Sequence, residues 1–224
     1  MSDPYGSLIE MHVLFTATTS IILFSILTIG LKLFLIVLSY NILLPLWSLK
    51  AGQPEWLDIW LFCFPLSIFQ VFPDWFLAAV LNTIEFEPDP YIMIGEVPAY
   101  MAGLWVIPLF AIIYLGLQTE KIHGRKPSLL VLSISSLVVF AIAEATLWML
   151  PAWAAQNVFT IAHVAAYIVP AEVLLGISSF LGYKLVQGKR MIYKIVIGFA
   201  VMIFYLGNAA FFYFITERLI MSAL

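Results

Sequence analysis

Five stretches of this chain, about 56–74, 94–117, 128–150, 159–183 and 193–216, each hold roughly 20 or more mostly apolar residues. As helices they are long enough to cross a hydrocarbon core of about 30 Å. A soluble domain of 224 residues has no interior large enough to hide them, since 63% of the chain is apolar and only 10% is charged. The average soluble domain carries roughly 25% charged residues. The sequence therefore predicts an all-α fold, a polytopic transmembrane helical bundle forming a single integral-membrane domain over 1–224. No basic stretch opens the chain, so no cleavable signal peptide is expected. Cys63 is the single cysteine, which excludes an internal disulfide and a cysteine-based metal cluster.

The apolar region 12–48 fits one span poorly, because a straight helix of that length measures about 54 Å. Two spans would leave only Gly30-Leu31-Lys32 for the reversal. One long, tilted or broken helix, its end lying along the interface near Pro45 and Trp47, gives six spans, with seven as the alternative. In the six-span arrangement Lys50, Lys121, Arg125, Lys126, Lys184, Lys189, Arg190 and Lys194 share one side and only Arg218 is opposite, with Lys32 able to snorkel to the basic side. By the positive-inside rule the basic loops are cytoplasmic and both termini face out, as expected for a bacterial inner (plasma) membrane. The acidic run Glu85-Phe86-Glu87-Pro88-Asp89-Pro90 then falls outside, with Trp75 and the turn Trp148–Trp153.

Against this apolar background, Glu96, Glu144 and Glu172 need a physical reason. An unpaired carboxylate in hydrocarbon costs several kcal/mol, so such groups are paired, neutralised or line a cavity. Glu172 is expected near the midplane of its span, Glu144 about 8 Å and Asn208 about 5 Å outward of theirs, and Asp74, Glu96 and His163 near outer ends. The polar groups thus gather in the outer half of one bundle, predicting a pocket there. The blander alternatives are a hydrogen bond from Glu172 to a carbonyl released by Pro170, a bond from Glu144 to a neighbouring span, and solvated or capping roles for Glu96 and Asp74. Asn208 shares a stripe with Tyr205 and Phe212, which suits a pocket lining or helix packing equally.

His12, His123 and His163 are too few and too dispersed for bis-histidine haem or a di-iron histidine cluster. There is no P-loop, no G-x-S-x-G and no dinucleotide fingerprint. No cofactor and no metal are expected, and no nucleic-acid partner.

Two stretches share a loose pattern, Asp74 through Tyr91-Ile92-Met93-Ile94-Gly95-Glu96-Val97-Pro98 and Glu144 through Tyr167-Ile168-Val169-Pro170-Ala171-Glu172, offset by about 70 residues. This predicts a parallel internal repeat with its site at the repeat interface. The pattern resembles the small integral-membrane lycopene cyclase domain of bacteria, archaea and fungi, over roughly 74–110 and 144–182. In that resemblance Asp74 corresponds to the first acid, Tyr91, Ile92 and Gly95 lead to the proline at Pro98, and Pro170 and Glu172 match the second copy's proline and first glutamate. Ala99, Tyr100 and Val173 depart from the family pattern. The resemblance implies carotenoid or other isoprenoid chemistry, a terpene cyclase or isomerase.

The residues allow such chemistry independently. Protonating an alkene requires a carboxylic acid in a dry pocket, aromatic faces to stabilise the cation, and a second carboxylate to remove the last proton. The catalytic candidates are Glu172, Glu144, Glu96 and Asp74. The substrate-contacting candidates are His163, Tyr167, Trp148, Tyr100, Tyr205 and Asn208. The expected partners are membrane lipid and a hydrophobic, isoprenoid-like ligand. The competing classes are a non-catalytic lipid- or pigment-binding subunit and a small proton-coupled transporter. Oligomeric state is left open.

Overall fold

A computed structural model describes residues 4–86 and 91–223. Glu87 and Asp89 of the acidic run lie outside the described residues. Among the described residues seven helices are long and apolar enough to cross a membrane: α1 Pro4–Leu23, α2 Ile29–Ala51, α3 Pro54–Val80, α4 Met101–His123, α5 Arg125–Met149, α6 Ile168–Val186 and α7 Met191–Ala223. The alternative count of seven is the one observed. The first apolar region divides because α1 starts early, at Pro4, where a proline's missing N–H costs no helical hydrogen bond. Its reversal is therefore Phe24–Thr28 rather than Gly30–Lys32, and α2 keeps a full-length span. Lys32 does not snorkel to the basic side. Its Nζ donates to the Leu23 carbonyl at 3.0 Å, satisfying an orphan acceptor where the helix dipole favours a cation. Nor does the chain turn along an interface at Pro45; α2 continues to Ala51, where Gly52, at φ +64, caps it in the left-handed region.

Helices α3, α4, α5, α6 and α7 form a closed ring of neighbours, and the α1–α2 hairpin packs outside α3 and α4. One end of the bundle has the tight turns and the basic residues Lys50, Lys121, Arg125, Lys184 and Lys189. An ion pair between a buried lysine and a half-buried aspartate lies just inside it. Lys194 Nζ donates to Asp58 Oδ1 at 2.6 Å, and the Tyr183 hydroxyl and the Gly188 N–H donate to Asp58 Oδ2 at 3.1 and 3.0 Å.

The opposite end is built from three short antiparallel pairings. Strand β1 (Ile84–Phe86) pairs with β4 (Trp153–Ala155); β2 (Met93–Ile94) pairs with β3 (Val97–Pro98); β5 (Thr160–Ile161) pairs with β6 (Val164–Ala165). The spans expected at 94–117 and 159–183 therefore start too early, since Ile94 and Thr160 belong to hairpins. The reason is compositional: these hairpins are as apolar as the helices that follow them.

These pairings reveal the internal repeat. Helices α3 and α4, with β1–β3 between them, correspond to α5 and α6, with β4–β6 between them. Ala99 N–H donates to Ile92 O, and Ala166 N–H to Phe159 O, closing the two hairpins in the same way. The tyrosines that follow cross over between the halves: the Tyr100 hydroxyl donates to Ala152 O at 3.2 Å, and the Tyr167 hydroxyl bonds Thr83 Oγ1 at 2.7 Å. The repeat is parallel, as the sequence predicts, but its register pairs Tyr100 with Tyr167 rather than Pro98 with Pro170.

Helix α6 approaches α5 closely at Gly176, where an added Cβ would lie 1.9 Å from Ser136 Oγ and 2.9 Å from Ser136 Cβ. Gly176→Ala is expected to destabilise the bundle by about 1–3 kcal/mol, the usual cost of overpacking. Thermal unfolding in detergent reads this out, and adding Ser136→Gly is expected to restore most of the loss.

Candidate functional site

At the hairpin end the ring encloses a cavity of about 400 Å³, within the range of small-molecule sites. Asp74, Glu144, Glu172, Tyr167 and Tyr205 all line it. Three acids from three helices thus surround one apolar space, and they lie within electrostatic reach of one another. They ring the space rather than meet at a point: among the described residues no three His, Cys, Asp or Glu side chains are placed to share a metal ion.

Each acid is held differently. Asp74 sits where α3 is about to widen into a π turn at Phe76–Val80, a distortion that often accompanies function. It is 3% exposed, and its Oδ2 accepts the Trp105 indole N–H at 3.2 Å. Glu144, in the last turns of α5, accepts the Trp153 indole N–H at 3.0 Å, and Trp153 is fixed on β4 opposite Phe86. Glu172 is also 3% exposed, yet its Oε2 has no hydrogen-bond partner among the described residues. An unpartnered carboxyl oxygen in a buried site is expensive, which marks Glu172 as the group waiting for something.

Glu172 is not at midplane, because α6 begins only at Ile168. It occupies the second turn, level with the other two acids. Pro170 lies in the first turn, where it releases no carbonyl and bends nothing. Aromatic faces complete the chamber. The Trp105 ring lies 5.7 Å from Phe140 and 5.9 Å from Tyr205, and all three line the cavity. Burial raises the Tyr167 phenol above its ordinary value, against the lowering effect of the Thr83 hydrogen bond.

The remaining candidates are not in the cavity. Glu96 and His163 occupy the turns of the two hairpins, outside the spans. His163, at φ +70, stacks on Trp148 with ring centroids 4.4 Å apart, and Trp148 is itself exposed. Tyr100 is buried in a separate cluster with Val97 and Trp153, where it serves the crossover to Ala152. Asn208 turns its amide onto its own helix, donating to Phe204 O at 2.7 Å.

Sequence reasoning missed His12, Trp105 and Trp153, all of which line the cavity. It also passed over Gln70, one turn below Asp74, fully buried with neither amide atom partnered among the described residues. Trp105 was findable: it lies five residues beyond Tyr100, as Glu172 lies five beyond Tyr167. The two halves therefore place an indole donor and a carboxyl at equivalent positions.

No curated protein and no solved structure matches this chain. A family described only as a domain of unknown function (DUF6989) matches residues 71–216, which takes in the end of α3, both hairpins and all three acids of the cavity. The chain belongs to that family.

Proposed function

We propose that this protein is a membrane-embedded isoprenoid cyclase or isomerase that works by carboxyl acid–base chemistry. The observation that carries the reading is the unlike holding of three acids around one apolar, aromatic-walled cavity. Hydrogen bonds to a carboxylate favour its charged form. Asp74 and Glu144 each receive an indole N–H, which suits them to accept a proton and to face a cation. Glu172 has no donor at Oε2 among the described residues, which suits it to give a proton away.

In this scheme the Glu172 O–H delivers its proton to a terminal C=C bond. The π electrons form the new C–H bond and leave a tertiary cation. A second C=C attacks that cation, forming the ring C–C bond and moving the charge along the chain past Trp105, Phe140 and Tyr205. Glu144 or Asp74 then takes a proton from the adjacent carbon, whose C–H electrons become the new double bond. Substrate and product are isomers, and the proton returns to Glu172 by exchange among the acids. Glu96 has no part in this scheme.

The test is chemical. The purified protein is extracted for mass spectrometry and then incubated with linear isoprenoids. A co-purifying prenyl chain and a product of unchanged mass but altered chromatographic mobility are expected. Phospholipid alone, with every isoprenoid returned unchanged, sinks the enzyme reading in favour of a lipid-binding subunit.

The same reading puts the basic end in the cytoplasm and the cavity in the outer half of the membrane. With seven spans the N-terminus is then cytoplasmic and the C-terminus outside. A phosphatase reporter active only outside the cytoplasm is expected to work at the C-terminus and fail at the N-terminus; the opposite result reverses the orientation.

A further inference from the structure

The cavity does not stop at the carboxyls. Its lining continues over Ile107, Pro108 and Ala111 of α4 and reaches His12 of α1. These α4 residues lie away from the helix's buried face, which carries Val106, Leu109, Phe110 and Ile113. Ile107 and Pro108 are half-buried and Ala111 is exposed, so α4 forms a sill over which the cavity opens sideways. Beyond the sill, His12 also belongs to an open face of α1 formed by Leu8, Ile9, Val13, Thr16, Ala17 and Ser20. His12 joins the cavity to this face.

The chemistry of this path is uniform. His12 Nδ1 donates to Leu8 O and Ser20 Oγ donates to Thr16 O, both at 2.9 Å, so these polar atoms are turned onto their own helix. Among the described residues no lysine or arginine lines the cavity or this face of α1, whereas three acids line the cavity. A diphosphate would meet only like charge and no cation along the whole path. Helix α1 is also loosely held, with 6% of its span buried against 61% for α4.

We propose that the site takes an uncharged linear isoprenoid, and not a prenyl diphosphate, that is longer than the cavity. Its reacting end lies among Asp74, Glu144 and Glu172, its middle crosses α4 at Pro108 and Ala111, and its tail lies along this face of α1. Access is sideways from the bilayer. This rests on the acid–base reading above for which end reacts.

The test uses phytanol, a saturated isoprenoid alcohol that has no double bond to protonate, carrying a photoreactive diazirine at its isopropyl end or at its hydroxyl end. After illumination, mass spectrometry is expected to find the isopropyl-end label on cavity residues such as Trp153 and Tyr167, and the hydroxyl-end label on α1 between Leu8 and Ser20. Unlabelled phytanol competes with both; phytanyl diphosphate does not. Ala111→Trp, at an exposed position, is expected to cut the cavity label about tenfold by blocking the sill. Ala17→Trp is expected to reduce the tail label alone. Hydroxyl-end label spread evenly over the outward faces of α2, α5 and α7, both labels inside the cavity, or no change in either variant each overturns the proposal. Because phytanol cannot react, the expected labels without turnover of any isoprenoid would sink the acid–base reading alone. Turnover with labels elsewhere would sink this one.

Discussion

Glu172→Gln is expected to lower turnover of a linear isoprenoid by roughly 10²–10⁴-fold, the usual contribution of a positioned general acid. The substitution keeps the side chain's size, and Glu172 packs in the second turn of α6 without a hydrogen-bond partner at Oε2, so little structure is lost with the proton. Substrate affinity should change far less than turnover, because the apolar wall and the aromatic rings are untouched. Glu144→Gln and Asp74→Asn are expected to impair a later step, and Trp105→Phe to weaken Asp74 in that step by removing the indole N–H that donates to it at 3.2 Å. Steady-state rates on purified variants of unchanged melting behaviour decide the matter. Full activity in Glu172→Gln would be incompatible with the assignment.

The second large effect falls on stability, at the other end of the bundle. Asp58→Ala is expected to destabilise the protein by about 3–5 kcal/mol, because it strands a buried charge. The Lys194 side chain is 2% exposed and its Nζ has Asp58 as its ionic partner at 2.6 Å. The same substitution takes the acceptor from the Tyr183 hydroxyl and the Gly188 N–H, which tie α6 and the turn before α7 to α3. Lys194→Met alone is expected to cost less, since Asp58 keeps those two donors. The double replacement Asp58→Leu with Lys194→Met is expected to recover much of the loss, as apolar substitutes for buried ion pairs often do. Detergent-based thermal unfolding compares the three, and equal melting of Asp58→Ala and the parent chain would show that the pair contributes nothing.

Much of this architecture was legible because hydrocarbon enforces simple rules. Length and hydropathy locate the later helices, and the high cost of an acid in lipid singles out Glu144 and Glu172 before any coordinates. What escaped did so for physical reasons. The reversal Phe24-Ser25-Ile26-Leu27-Thr28 contains no glycine, proline or charge, so hydropathy runs through it unbroken. The hairpin residues Met93-Ile94 and Thr160-Ile161 read as the starts of helices, which drew Glu96 and His163 into the membrane when both are turn residues. The prolines attracted the repeat to the wrong register: Pro98 ends a strand, whereas Pro170 opens a helix. Of the cavity's two indole donors, Trp153 could not be read from spacing, because it is held at Glu144 by the pairing of β4 with β1, a contact between halves.

The duplicated scaffold has one more consequence, which follows from Trp105 standing where its twin half carries Glu172. A progenitor with two identical halves would have offered a guest two interchangeable ways to bind, each as reactive as the other. Divergence at this one pair of seats removes that degeneracy. The duplicated scaffold thereby acquires a single polarity, and in the reaction proposed above a bound chain has only one end that can be attacked first.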